Sequence, residues 1–146
     1  FLWKLHCLED EPSRDTDTMS HSTWLAPVRY VEADQQGIVF NAHYLTYCDE
    51  AFGAFCAERG LLAFAEQVNL VSSTLTWTAA ARWGDLVEVR TRCLRVGRTS
   101  TAIAFEIRAS GRDCCRVETT YVLTDADGTK TPIPDSVRTE LIDAAS

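Results

Sequence analysis

Apolar and polar positions alternate from Trp24 onward, with Val28 and Tyr30 on one face of an extended chain and Arg29 and Val31 on the other. "WLAPVRYVEA" (24–33) therefore reads as a first strand, its Pro27 acceptable only near the beginning or on an edge. After the loop "DQQGIVF" the period changes. Tyr44, Tyr47, Cys48, Ala51, Phe52 and Phe55 recur three and four apart, with Asn41 placed to cap a helix and Gly60 to stop it. The middle of that helix, "AFGAFCA", carries no charge on any side, which predicts an enclosed helix. "LLAFAEQ" adds a short second helix. Four strands follow, at about 68–80, 85–97, 99–110 and 114–124, with "RWGD", "VGRTS" and "ASGRD" as short links that predict antiparallel hairpins. "DSVRTELIDAA" closes the chain as a helix capped by Asp135 or Ser136.

One strand, an apolar helix and four antiparallel strands define an α+β fold. A parallel sheet would need helices between the later strands, and none is present. A curved antiparallel five-stranded sheet wrapped around a long central helix, the hot-dog arrangement, satisfies the order. Such a sheet leaves edges uncovered, so a homodimer or tetramer is expected.

Composition narrows the partners. The 146 residues suit one domain, expected at 19–146, and "FLWKLHCLEDEPSRDTDT" (1–18) reads as a flexible extension or tag ahead of the lone Met19. A formal charge of -7 argues against nucleic acid or an anionic membrane as partner. No apolar run approaches the roughly 18 residues of a membrane span. The six cysteines lack the paired spacing of zinc sites or of a disulfide scaffold, which points to free thiols and a cytoplasmic protein. Without "GxSxG", "HExxH", a phosphate loop or a dinucleotide glycine motif, no metal or cofactor is called for.

The stretch "YVEADQQGIVFNAHYLTYCDEA" resembles the signature of hot-dog acyl-CoA thioesterases of the 4-hydroxybenzoyl-CoA thioesterase and YbgC-like group, in the spacing of Asp34, Gly37, Ile38, Val39 and Tyr44. "ARWGD" (81–85), "GRTSTAIAFEI" (97–107) and "YVLTDADGTKTPIP" (121–134) extend the likeness over about residues 24–142. Ala33 and Asn41 depart from the residues the family more often carries at those places, and His43 stands where a small or amide residue is more usual. The resemblance implies hydrolysis of an acyl thioester of CoA or of an acyl carrier protein.

Thioester hydrolysis needs a carboxylate that attacks the carbonyl or activates water, and fixed donors that meet the developing negative charge. Asp34 suits the first role. By resemblance, the backbone amide of Asn41 at the helix start suits the second, its side chain capping the helix, while Gly37 bends the loop toward the thioester. Glu50 and His43 are weaker candidates for catalysis. Tyr44, Thr99, Ser100, Arg82 and Arg98 are candidates for substrate binding, the arginines toward phosphates. Arg90 and Arg92 alternate with Glu88 as residues of a solvent-facing sheet should. His43 with Glu50 leaves a dehydratase or hydratase as an alternative, and a non-catalytic acyl-thioester sensor is the other.

Overall fold

The computed structural model of the protein describes residues 22–143, so the stretch read as an amino-terminal extension lies outside the described residues. In chain order the elements are β1 (Ser22–Pro27), a 3-10 turn (Tyr30–Glu32), α1 (His43–Glu58), α2 (Leu62–Gln67), β2 (Val68–Trp77), β3 (Leu86–Val96), β4 (Ser100–Ala109), β5 (Arg112–Leu123) and α3 (Asp135–Asp143). The strands form one five-stranded sheet in the order β1-β3-β4-β5-β2, and each neighbouring pair is antiparallel.

Two-residue alternation sorts the sheet into two faces. Val87, Val89, Ile103, Phe105, Ile107, Val117 and Tyr121 join the buried residues of α1 in a single core. Phe52 of α1 stacks on Tyr121 of β5 with ring centroids 4.3 Å apart. The other face carries alternating charge: Arg90 pairs with Glu88 at 3.1 Å and Arg95 with Glu118 at 3.5 Å, and Arg92 is exposed. These arginines stand on the outer surface of the sheet, as their spacing implied.

Four details of the sequence reading change. First, the strand expected over 24–33 ends at Pro27, and the 3-10 turn follows with Tyr30 and Val31 exposed. The cause is local: the Glu32 carboxylate accepts a hydrogen bond from the Arg29 N–H at 2.7 Å, which folds the backbone away from the extended path. Second, α1 begins at His43, with Ala42 rather than Asn41 at its N-cap, and no side chain caps it. Third, α1 is not enclosed on all sides. Tyr44, Tyr47, Cys48, Ala51, Phe52, Phe55 and Cys56 are buried, whereas Thr46, Asp49, Glu50 and Ala57 face solvent and Gly53 and Ala54 are half-buried.

The fourth change is topological. "RWGD" does not close a hairpin, because β2 and β3 are not neighbours. Residues 78–85 cross the end of the sheet from its β2 edge to β3, tied down where Thr78 N–H donates to the Cys114 carbonyl at 2.8 Å. β2 pairs with β5 and forms one edge, with Leu70, Val71 and Trp77 exposed. Among the described residues no helix is long and apolar enough to cross a membrane.

Candidate active site

The segment between the 3-10 turn and α1 folds back on itself. Asp34 N–H donates to the Ile38 carbonyl at 2.8 Å, Ala33 bridges Val39, and Phe40 N–H donates to the Glu32 carbonyl at 3.0 Å, so residues 32–40 make a short irregular hairpin. Gly37 sits in its bend with φ 76°, a left-handed conformation that favours glycine, and donates its N–H to the Asp34 carbonyl at 3.0 Å. Asp34 itself is exposed. Its Oδ1 accepts the Gln36 N–H at 2.7 Å, an Asx turn that holds the carboxylate at the hairpin tip.

The crossover 78–85 locks this hairpin onto the sheet. Val39 N–H donates to the Ala81 carbonyl at 2.8 Å, Trp83 N–H to the Gly37 carbonyl at 3.1 Å, and Ile38 bridges Arg82. Tyr44, a candidate for substrate binding, supports the crossover from inside. It is 1% exposed, and its hydroxyl accepts the Ala81 N–H at 3.0 Å. Burial pushes its phenol above the ordinary range, so the hydroxyl stays protonated at neutral pH. Tyr44→Phe leaves the buried Ala81 N–H without its acceptor and is expected to lower stability by about 1–3 kcal/mol. Denaturant unfolding of the variant and the wild type measures this difference.

Asp85 secures the far end of the crossover. Its Oδ2 accepts the Arg82 N–H at 2.8 Å and an Arg112 guanidinium N–H at 2.7 Å. Burial alone would raise this carboxyl, but the bonds from Arg112 and Arg82 together hold it below its ordinary value. The contribution is therefore present above the unfolded carboxylate pKa and is lost as pH falls through the lower folded value.

At the other end of the hairpin the chain turns into α1. His43 N–H donates to the Phe40 carbonyl at 2.9 Å and Tyr44 N–H to the Asn41 carbonyl at 3.3 Å. The N–H groups of Asn41 and Ala42 donate to no partner among the described residues. Asn41 is exposed. Its side chain, expected to cap the helix, makes no cap bond, while the backbone donors of this turn stay available at the positive end of the helix dipole.

The structure thus gathers some of the candidates and separates others. Asp34, Gly37, Arg82 and Asn41 share the hairpin or its border; Asp34 and Asn41 lie three ladder steps apart with no hydrogen bond between them. His43 is half-buried in the first turn of α1, with its ring 6.2 Å from that of Phe40. Glu50 is exposed two turns along the helix. Arg98, Thr99 and Ser100 stand at the opposite end of the sheet, beyond the last residue of β3, where Leu123 N–H donates to the Thr99 carbonyl at 2.8 Å. Within one chain they do not reach Asp34.

The thiols of the described residues offer no rival nucleophile. Cys48, Cys56, Cys93, Cys114 and Cys115 are all free and buried. Burial pushes Cys115 up to about 11 and Cys56 up to about 12, far above the range of a reactive thiolate. No group of three or more His, Cys, Asp or Glu able to hold a metal occurs among the described residues.

One participant was missed in the sequence. Glu32, two residues before Asp34, is buried, with Tyr47 O–H donating to its Oε1 at 3.0 Å. The expected strand placed it as one more alternating residue. The signal present was its spacing from Arg29, which suits an acid that accepts the backbone N–H three residues before it.

Comparison with known proteins agrees with this architecture. No curated protein matches the chain significantly. Among solved structures, the 1,4-dihydroxy-2-naphthoyl-CoA thioesterase of Synechocystis superposes with a TM-score of 0.76 at 21% identity, over 84% of this chain and 96% of that one. A thioesterase of Thermus thermophilus complexed with coenzyme A and Zn gives 0.79 at 20% identity, over 88% and 97%. A predicted thioesterase from Bacillus stearothermophilus gives 0.77 at 25% identity, over 86% and 97%. The fold is that of the hot-dog proteins. Residues 36–116, from just past Asp34 to the middle of β5, match the thioesterase superfamily, and the chain belongs to that superfamily as a thioester hydrolase.

Proposed function

We propose that the protein hydrolyses an acyl-CoA thioester, with Asp34 as nucleophile or general base and the backbone amide of Asn41 polarising the carbonyl. The observation that carries this reading is the pairing, on one hairpin, of an exposed carboxylate fixed by its own turn with helix-start amides that bond to nothing else among the described residues. The carbonyl oxygen gains negative charge as a C–O bond forms to water or to Asp34, and it meets those amides. The C–S bond then breaks: on the water route the leaving sulfur takes the proton that Asp34 removed from the attacking water, and on the nucleophilic route water cleaves the acyl–Asp34 anhydride to free acid and supplies the proton of the free thiol. CoA is preferred to an acyl carrier protein as carrier because two structural neighbours are a CoA-ester hydrolase and a CoA complex.

The working unit in this proposal is a homodimer formed through β2. Among the described residues that edge pairs with no further strand, and it carries the exposed Leu70 and Val71, a combination that favours pairing with another strand. A two-fold antiparallel pairing of β2 with its copy sets the Val68 end of one subunit beside the Trp77 end of the other. Val68 pairs with Leu123, whose N–H bonds Thr99, so this pairing carries the second copy's 98–100 segment toward the end of the sheet that holds Asp34. The distance of Arg98, Thr99 and Ser100 from Asp34 within one chain is then no obstacle to substrate binding.

Release of free thiol from a panel of short, long and aromatic acyl-CoA esters tests the activity, with the same acyl groups on an acyl carrier protein as the competing carrier. Absence of thiol release from every ester would overturn the hydrolytic reading of this site. Sedimentation of the purified protein at about twice the chain mass is the expected assembly, and a monomer active at full rate would remove the shared site.

A further inference from the structure

We propose that Glu32 is a positioning residue that locks the Asp34 hairpin to the start of α1. This inference rests on the hydrolytic reading above for its effect on rate, but its structural part stands on the hairpin alone. The carboxylate is buried, with the residue 3% exposed, and both of its oxygens are engaged. Oε1 accepts the Arg29 N–H at 2.7 Å and the Tyr47 O–H at 3.0 Å. Oε2 accepts the Arg29 Nε–H at 3.2 Å and forms an ion pair with the same guanidinium at 3.2 Å.

The backbone of the same residue completes the lock. Glu32 N–H donates to the Arg29 carbonyl at 3.0 Å, and the Glu32 carbonyl accepts the Phe40 N–H at 3.0 Å. A single residue therefore touches Arg29 at the start of the 3-10 turn, both limbs of the hairpin and, through Tyr47, the second turn of α1. Tyr47 is fixed in turn by the core, 2% exposed and with its ring against Trp24 and Tyr44. The phenol stays protonated because burial and the Glu32 charge both raise its pKa, so it donates and the carboxylate accepts.

The two functional groups lie on either side of this anchor. Asp34 is two residues after Glu32, and Asn41 follows the residue bonded to the Glu32 carbonyl. Their spacing across a substrate carbonyl is set by the hairpin, and the hairpin is referenced to the helix by a charged group that cannot move without leaving a buried carboxylate unpaired. Rate depends steeply on such spacing, whereas substrate affinity draws on the whole surface. Loss of the anchor should thus lower kcat more than it raises KM.

Glu32→Gln keeps the volume and an acceptor oxygen but removes the charge and presents an amide N–H₂ to Arg29. The expected result is a fall in kcat of about 10–100-fold, in the range known for small misplacements, with KM for the best acyl-CoA ester changed by less than about threefold. Tyr47→Phe, which keeps the carboxylate and its Arg29 bonds, is expected to give a smaller loss, and the double variant less than the product of the two. Hydrogen exchange supplies a readout independent of activity. The Phe40 amide should exchange faster in Glu32→Gln while the β3–β4 ladder keeps its wild-type protection.

A folded Glu32→Gln protein with wild-type kcat and unchanged exchange at Phe40 would overturn the proposal, as would equal loss of protection throughout the sheet. If Glu32→Gln does not fold, Tyr47→Phe carries the test with the same two readouts. Faster exchange at Phe40 in a protein whose wild type releases no thiol would support the lock while refuting the hydrolytic reading.

Discussion

Asp34→Asn is expected to lower kcat for acyl-CoA hydrolysis by about 10²–10⁴-fold, the usual contribution of a positioned acid or base, while the protein remains folded. The fold should survive because the side chain is exposed and its one bond among the described residues, from the Gln36 N–H to Oδ1, can be accepted equally by an amide oxygen. Stability should stay within about 0.5 kcal/mol of wild type, as for other surface substitutions that keep their contacts. KM should change little, since the carboxylate is assigned to the reacting carbonyl rather than to the bulk of the substrate. Steady-state thiol release together with thermal unfolding checks both halves. Unchanged thiol release from a folded Asp34→Asn protein would remove Asp34 from the mechanism.

A second large effect is expected from the backbone of Asn41, and two substitutions separate it from the side chain. Asn41→Ala keeps the amide N–H and removes a side chain that makes no cap bond, so kcat should change by no more than about twofold, equivalent to the roughly 0.5 kcal/mol typical of surface changes. Asn41→Pro removes the N–H itself. The His43 N–H bond to the Phe40 carbonyl makes Asn41 the second residue of a turn, a position where proline is favoured, and the substitution removes no hydrogen bond made among the described residues. A fall in kcat of about 10²–10³-fold is expected, the loss seen when one oxyanion donor is deleted. Equal activity of the alanine and proline variants would show that the carbonyl is polarised elsewhere.

The contrast between these residues shows what the sequence could reveal. The core helix was legible because Tyr44, Tyr47, Cys48, Ala51, Phe52 and Phe55 repeat at helical spacing and are all buried. Strands β3 to β5 were legible because Ile103, Phe105 and Ile107 alternate along one face and short turns connect the strands. Strand pairing was not legible from turn chemistry alone. "RWGD" has the residues of a tight turn, yet it ends a crossover between strands that never meet, and only the tertiary closure of the sheet decides that. The buried Glu32 was hidden for a related reason. A carboxylate at an alternating position looks like a surface residue until Arg29 and Tyr47 are seen to surround it. Asn41 was named for its side chain as well as its backbone, and the helix begins later than a capping asparagine would place it.

The crossover at 78–85 has a mechanical consequence. It is anchored to β5 through Cys114, to the hairpin through Val39 and to the helix through Tyr44, so it works as a clasp over the open end of the curled sheet. The sheet cannot unroll from α1 at that end while the clasp holds, and the hairpin cannot lift away without pulling on the same backbone. Opening of the sheet at that end is therefore coupled to release of the core helix, which makes the Asp34 hairpin part of the protein's cooperative unit rather than an independently breathing lid.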